Sequence, residues 1–369
     1  MLATIVLLLT ILLIVLTFLP LSREEVWWIR GGDFPRLQIL GLGVLLGIAQ
    51  FWVLDWSSPG SWILIFLVAA CVVWQAWWIW PYTFFHSKEV RCAAHPGRDH
   101  RIRVLMSNVL MSNRNAAGLV EMVRSEDPDI LIAVETDSWW ESQLEVLEAD
   151  YPYMLKCPKD NKYGMHLYSR LPLTDAQICF LTEPDFPSMH TLVTLRSGNR
   201  IRLHCLHPAP PSPTENETSE QRDAELIMVG KQVANVSMPV IVSGDLNDVA
   251  WSPTTRLFRK ISGLLDPRIG RGMFNTFHAS YFFLRWPLDH LFHSRHFTLG
   301  MIRRLPRYGS DHFPMLIELA LEPERGAIQE GLSADQEDQA WANEKIEQQK
   351  SAASAFKENV PKLPDRVDE

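Results

Sequence analysis

Three long apolar runs open the chain, and the spacing of apolar and polar positions changes character after them. Residues 3–19, 37–54 and 61–80 carry no charged side chain, and the third run closes on Trp77, Trp78, Trp80 and Tyr82. Each is 17 to 20 residues long, close to the roughly 20 that take a helix across a hydrocarbon core of about 30 Å. Three in series, edged by tryptophan and joined by short polar loops, predict transmembrane helices over about 3–20, 37–54 and 61–80 within a region 1–85. The first has no basic n-region and no A-x-A site, so it is read as a retained helix rather than a signal peptide.

Beyond a linker at 86–100 the apolar runs shorten to strand length. Ile102 to Ser107, Ile130 to Val134, Met165 to Tyr168, Thr191 to Leu195, Ile201 to Leu206 and Pro239 to Val242 read as strands. Leu288 to Phe292, Phe297 to Met301 and Met315 to Leu319 continue the series. Only two helices stand out. Ala116 to Arg124 carries Leu119, Val120 and Val123 on one face, and a Thr218-x-x-Gln221 capping box opens a helix with Leu226, Val229 and Val233. Many strands, few helices and no regular β-α-β alternation predict an α/β unit over 101–321 with two sheets packed face to face and helices outside.

Charge refines this picture at both ends. Segment 322–369 holds 12 acidic and 6 basic residues, which supplies most of the chain's net charge of −8. Asp335 to Lys357 is open to a solvated helix, but its apolar positions, Trp341, Ile346 and Phe356, are too sparse to define a packing face, so the segment is expected to be an acidic, largely disordered tail. Between the first two spans lie Arg23, Arg30 and Arg36, and after the third come Lys88, Arg91, Arg98, Arg101 and Arg103. The N-terminus and the loop at 55–60 have neither Lys nor Arg. The basic segments therefore fall on one side, which predicts a multi-pass protein of the inner or plasma membrane with its soluble unit cytoplasmic. Five cysteines without paired spacing suit a reducing compartment.

The chemistry gathers at strand ends. Val240 to Val242 runs into Ser243-Gly244-Asp245-Leu246-Asn247. Along an extended backbone residues i and i+2 share a side, so Asp245 and Asn247 face one point. Asn108, Glu135 and His207 end three other strands, and Asp289-His290 and Ser310-Asp311-His312 follow. The oxygen donors Glu135, Asp245, Asn247 and Asp311 suit a hard cation such as Mg²⁺ or Mn²⁺. A histidine held by a carboxylate is the usual arrangement of a general base.

In this order the motifs resemble the endonuclease/exonuclease/phosphatase superfamily, to which pancreatic deoxyribonuclease, apurinic endonucleases and inositol polyphosphate 5-phosphatases belong. The resemblance covers about Arg101 to Leu321. It implies a four-layer α/β sandwich, with two packed mixed sheets flanked by helices, and divalent-metal hydrolysis of a phosphate ester. By that resemblance Glu135 is the main metal ligand, with Asn108 and Asp311 beside the metal. Asp245 and Asn247 position the attacking water and the phosphate. His312 is the catalytic histidine oriented by Asp289, and His207 steadies developing charge. Members often place an acid two residues after the first Asn; Leu110 stands there, and Asn113 or Asn115 is the candidate substitute, Asn113 being the one assigned toward phosphate.

The substrate is open between nucleic acid and a phosphorylated lipid, meaning a phospholipid or polyprenyl pyrophosphate head group. From Ser252 to Pro314 there are 10 basic residues and 3 acidic ones, two of them in the motifs, which predicts a phosphate-attracting rim. A membrane scaffold with a decayed site is the non-enzymatic alternative; here Glu135, Asp245, Asn247 and His312 are all retained.

Overall fold

The structure is a computed structural model that describes residues 2–94, 97–234 and 236–355. It divides into two units. The first comprises residues 1–87 with 211–219 and 270–272, and the second the remainder.

Three helices dominate the first unit: α1 (Leu2–Phe18), α3 (Arg36–Val53) and α4 (Pro59–Ile79), with the single turn α2 (Trp27–Arg30) between the first two. With their short 3₁₀ extensions all three are long and apolar enough to cross a membrane. Their polarity is inverted relative to a water-soluble bundle. Thr10, Thr17, Gln50 and Gln75 are buried between the helices, while Leu45, Trp52, Phe66, Val73 and Trp77 are exposed. Gln50 Nε2 donates to Thr10 Oγ1 at 3.0 Å, and Arg36 Nη1 donates to Gln75 Oε1 at 3.3 Å. Gly43 lets α3 and α4 come close, since a Cβ there would lie 2.7 Å from Val72 Cγ2.

Among the described residues the second unit has eleven strands. The first sheet contains β1 (Arg101–Asn108), β2 (Ile130–Val134), β3 (Tyr153–Cys157) and β4 (Met165–Ser169). The second contains β5 (Leu173–Cys179), β6 (Ser188–Thr194), β7 (Arg200–Leu206), β8 (Val240–Asp245) and β9 (Asp289–His293). Strands β10 (Phe297–Arg304) and β11 (Met315–Leu321) return to the first sheet, giving the orders β10-β11-β1-β2-β4-β3 and β5-β6-β7-β8-β9. Both sheets are mixed, with one parallel pair each, β1/β2 and β7/β8. Helices α5 (Ala116–Glu126) and α7 (Glu220–Val233) make the crossovers, so two β-α-β units exist where the sequence shows no regular alternation. Helices α6 (Ser138–Leu144), α8 (Pro253–Ser262), α9 (Pro323–Gly326) and α10 (Gln336–Ala355) complete the unit.

Layering explains the continuous apolar runs. Val104, Met106, Ile132 and Val134 meet Leu203, Cys205 and Ile241 between the sheets. Leu105, Leu131 and Ala133 face the other way, onto Leu119, Val123, Trp140 and Leu144 of α5 and α6. Val240 and Val242 pack on Leu226 and Val229 of α7 and Phe258 of α8. Central strands are covered on both faces, so apolar residues follow one another without a gap and the period of two disappears. The result is the expected four-layer sandwich.

The acidic segment differs from expectation. Its residues 336–355 form α10, and Ala342 is buried in the cluster beneath α7 and α8 with Trp341 and Ile346 packed against it. Lys345 Nζ reaches Asp223 at 2.7 Å, and Lys260 Nζ reaches Asp338 at 2.6 Å. One face with few but well-placed apolar groups docks with the help of the buried Lys345–Asp223 pair and the half-buried Lys260–Asp338 pair. Residues 356–369, including Phe356, lie outside the described residues.

Candidate active site

Strand register brings the predicted residues to one edge of the sandwich. In the first sheet Asn108 ends β1 beside Val134, the residue before Glu135. Antiparallel β11 places Met315 opposite Met106, so the Ser310–Pro314 turn returns toward the end of β1. In the second sheet Leu206 lies opposite Gly244, and Asp245 lies opposite Asp289. Parallel strands contribute their C-terminal ends and antiparallel ones their N-terminal ends, which is why residues 204 positions apart converge.

Local backbone choices make this approach feasible. A Cβ on Gly244 would lie 1.8 Å from the Leu206 carbonyl oxygen, and one on Gly164 would lie 1.7 Å from that of Thr136, next to Glu135. Leu110, Glu135 and Asn247 adopt positive φ of 56°, 63° and 51°. Each costs on the order of 1–3 kcal/mol for a residue with a Cβ, and all three fall at strand ends of the site.

Asn108 sits at the centre. Its Nδ2 donates to Glu135 Oε1 at 2.8 Å and to Asp245 Oδ2 at 3.0 Å, linking a carboxylate of each sheet. Its Oδ1 accepts from Leu110 N at 2.9 Å, and Glu135 Oε2 accepts from Met111 N at 3.2 Å. His312 Nδ1 is 2.8 Å from Asp289 Oδ2, and its Nε2 is 3.6 Å from Asp245 Oδ2. Asn247 N donates to Asp245 Oδ1 at 3.0 Å, and its Nδ2 donates to the Pro208 carbonyl at 3.0 Å. His207 is buried against Tyr163, with ring centroids 5.4 Å apart.

Burial and mutual repulsion set the charges. Burial pushes Glu135 up to about 7 against the Asn108 hydrogen bond and the His312 charge, with Asp311 adding to the rise. Asp245 is raised by burial, opposed by His312 and reinforced by Asp289. Burial pulls His312 down, but Asp289 and Asp245 outweigh it and hold the imidazole up to about 10. His207 is pulled down to about 4 by burial, against the attraction of Asp245. Of the two histidines, one therefore keeps its proton at neutral pH and the other is neutral.

The donor set fits an oxygen-preferring divalent cation. Ligand atoms of Asp245, Asp289 and His312 lie within 4.8 Å of one another. Buried Asp289 Oδ1 and Asp311 Oδ1 have no hydrogen-bond partner among the described residues. Unpaired carboxylate oxygens and a Glu135 raised by burial describe a site that gains stability when positive charge enters it.

Two candidates have other work. Asn113 Nδ2 donates to the Val109 carbonyl at 3.1 Å, and its Oδ1 accepts from Asn115 N at 3.1 Å, so its amide is committed within the loop. His290, beside Asp289 in sequence, accepts at Nδ1 from Arg268 at 2.7 Å and donates through Nε2 to the Asp248 carbonyl at 2.9 Å. Burial and Arg268 push it down to about 3.

Three supporting residues have no role assigned from sequence. Thr276 Oγ1 accepts from Leu288 N at 3.3 Å and Asp289 N at 3.2 Å, fixing the start of β9. The Phe277 ring lies 4.9 Å from that of His312. Ser310 Oγ donates to the Asn108 carbonyl at 2.7 Å and accepts from His312 N at 3.0 Å, tying the histidine to β1. Ser310 stood in a legible motif; Thr276 and Phe277 carry no spacing signal.

Residues 107–312 match the Endonuclease/Exonuclease/phosphatase family. Among solved structures, D. rerio TDP2 complexed with a single-strand DNA product is similar at 17% identity and a TM-score of 0.50, covering 60% of this chain and 99% of that one. The human Nocturnin catalytic domain with bound sulfate gives 18% identity and a TM-score of 0.49, over 62% and 99% of the two chains. An endonuclease/exonuclease/phosphatase from Beutenbergia cavernae gives 19% and 0.49, over 60% and 72%. No curated protein matches the sequence.

Proposed function

The chain belongs to the endonuclease/exonuclease/phosphatase family, and from that premise we propose a membrane-anchored, divalent-metal-dependent phosphoesterase of nuclease-like type. The observation that carries this reading is the Asn108 side chain joining Glu135 to Asp245, with the Asp289–His312 pair directed at the same carboxylate. Glu135, Asn108, Asp245 and Asp311 would hold Mg²⁺ or Mn²⁺, which when bound supplies a Lewis acid for the phosphoryl oxygens. Asp289 orients His312 through Nδ1 and keeps it cationic. The imidazolium Nε2 then offers a proton and a positive charge to the phosphoryl group. Asp245, raised by its surroundings, accepts the proton of the attacking water. Asn247 positions the phosphate, and neutral His207 donates a hydrogen bond as charge develops. The scaffold reading has no observation in its favour.

Anchoring draws on the inverted polarity of the helical unit, whose exposed tryptophans and valines would otherwise face water. A phosphorylated-lipid substrate is a second reading, favoured by Tyr281, Phe282 and Phe283. These consecutive residues are exposed, and the same loop is held to the motif by Ala279 N donating to the Asp311 carbonyl at 2.6 Å. Arg285 and Arg304 flank Phe313 there, 5.0 and 4.4 Å from its ring. The test is hydrolysis by the detergent-solubilised chain, with Mg²⁺ or Mn²⁺, of DNA, RNA and phosphorylated lipids. Cleavage of one class that chelation abolishes is expected. Failure on every phosphate ester with either metal ends the reading.

A further inference from the structure

A buried chain of alternating charges runs from the C-terminal helix to the backbone of the proposed phosphate-positioning loop. Lys345 Nζ on α10 lies 2.7 Å from Asp223 Oδ2 on α7, and Thr254 Oγ1 donates to the same oxygen at 2.9 Å. Asp223 Oδ1 accepts from Arg222 Nε at 3.0 Å and Nη2 at 2.8 Å. Arg222 Nη1 donates to the Asn247 carbonyl at 2.9 Å and stands 3.6 Å from Asp248 Oδ1. The Lys345, Asp223 and Arg222 side chains are only 3%, 1% and 1% exposed, so solvent screens none of these contacts.

We propose that Lys345 is a positioning residue for the reaction: it neutralises Asp223 so that Arg222 can divide its fork between Asp223 and the Asn247 carbonyl. The inference rests on the phosphoesterase reading only for its catalytic consequence. Asn247 has need of such support, because its positive φ is costly and its side chain must hold the Pro208 carbonyl and aim at substrate together. One arm of the Arg222 guanidinium satisfies the buried carbonyl; the other two nitrogens are taken by a carboxylate that alone would draw the whole cation toward itself. A second cation on that carboxylate relaxes the demand. A buried aspartate left short of one cation instead recruits Arg222 or water, and the loop loses its tether. The segment expected to be a solvated tail thus completes the site from behind.

The experiment uses the full chain in detergent, with bis(p-nitrophenyl) phosphate and Mn²⁺, comparing the parent with Lys345→Met, Lys345→Arg and Lys260→Ala. Lys345→Met keeps the aliphatic stem and removes the charge, whereas Lys260→Ala breaks the other α10 ion pair without touching the relay. Two readouts are taken: kinetic constants, and hydrogen exchange of the peptide spanning 244–250. Lys345→Met is expected to speed exchange in that peptide and raise KM on the order of tenfold, with the Mn²⁺ half-saturation unchanged, as for a misplaced binding group. Lys345→Arg should restore both to within about twofold, and Lys260→Ala should resemble the parent. Unchanged exchange at 244–250 in Lys345→Met overturns the inference whatever the activity. So does an equal change in Lys260→Ala, which would indicate general loosening of α10. Exchange that responds as expected in a parent without phosphodiesterase activity keeps the tether and defeats the phosphoesterase reading instead.

Discussion

At the scale of single residues the site is governed by how few cations face its carboxylates. Glu135 is pushed up to about 7 by burial, so Glu135→Gln should raise the metal concentration for half-maximal rate while leaving the fold intact; titration with Mg²⁺ and Mn²⁺ checks this. His312→Ala should lower the rate by about 10² or more, since it removes the positive charge that Asp289 and Asp245 hold there. The pH profile decides what that charge does. Asp289 raises His312, so Asp289→Asn lowers it toward the ordinary imidazole value. If the imidazolium is the working form, the alkaline loss of kcat moves to lower pH in this variant. A shift of the acid limb instead would assign His312 as a general base. Most of these residues were legible because each sits at a strand end followed by a turn, in a fixed order along the chain. What sequence could not show was direction. His290 and Asp289 are neighbours, yet strand alternation turns one to Arg268 and the other to His312. Asn113, offered as a nearby substitute for the acid that Leu110 replaces, is consumed by its own loop.

Elements position these residues by close backbone approach, and glycine marks the places. Gly244→Ala should destabilise the second unit by about 3 kcal/mol or more, because the obstacle is the Leu206 carbonyl of a packed strand and cannot move aside; thermal unfolding measures it. The strands were readable as apolar runs, but β3 and β5 were not, since they lie at sheet edges with several exposed or half-buried positions. Helix α10 was misread for a related reason. Its docking depends on Lys345, Gln349 and Ala342, which no apolar period reveals. Glu225 of α7 lies in the same layer, where burial pushes it up to about 8 and neither carboxyl oxygen has a hydrogen-bond partner among the described residues. The unfolded chain releases that proton near 4.5, so between about pH 4.5 and 8 the folded state binds the extra proton and stability must fall as pH rises. Glu225→Gln should flatten that slope. A parent whose melting temperature does not decline across this window would show that the carboxyl is solvated.

For the whole molecule the question is which side of a membrane the second unit occupies. If all three helices span a membrane, the N-terminus and the 55–60 loop fall on one side, with residues 20–36 and those after 83 on the other. The second side carries Arg23, Arg30 and Arg36 and then Lys88, Arg91, Arg98, Arg101 and Arg103, against no basic residue on the first. The structure adds that Asp33 pairs with both Arg30 and Arg36, which reduces the net charge of the first basic loop. Orientation nevertheless follows the count of Lys and Arg rather than net charge, because acidic residues contribute little to it. The count of Lys and Arg therefore predicts a cytoplasmic second unit. A fluorescent reporter fused after Glu369 should light up, and an alkaline phosphatase fusion there, active only after export, should be silent. The same phosphatase inserted between Ser57 and Ser58 should be active. Activity at the C-terminus and silence in the loop would reverse the orientation. The site would then face exported phosphate esters.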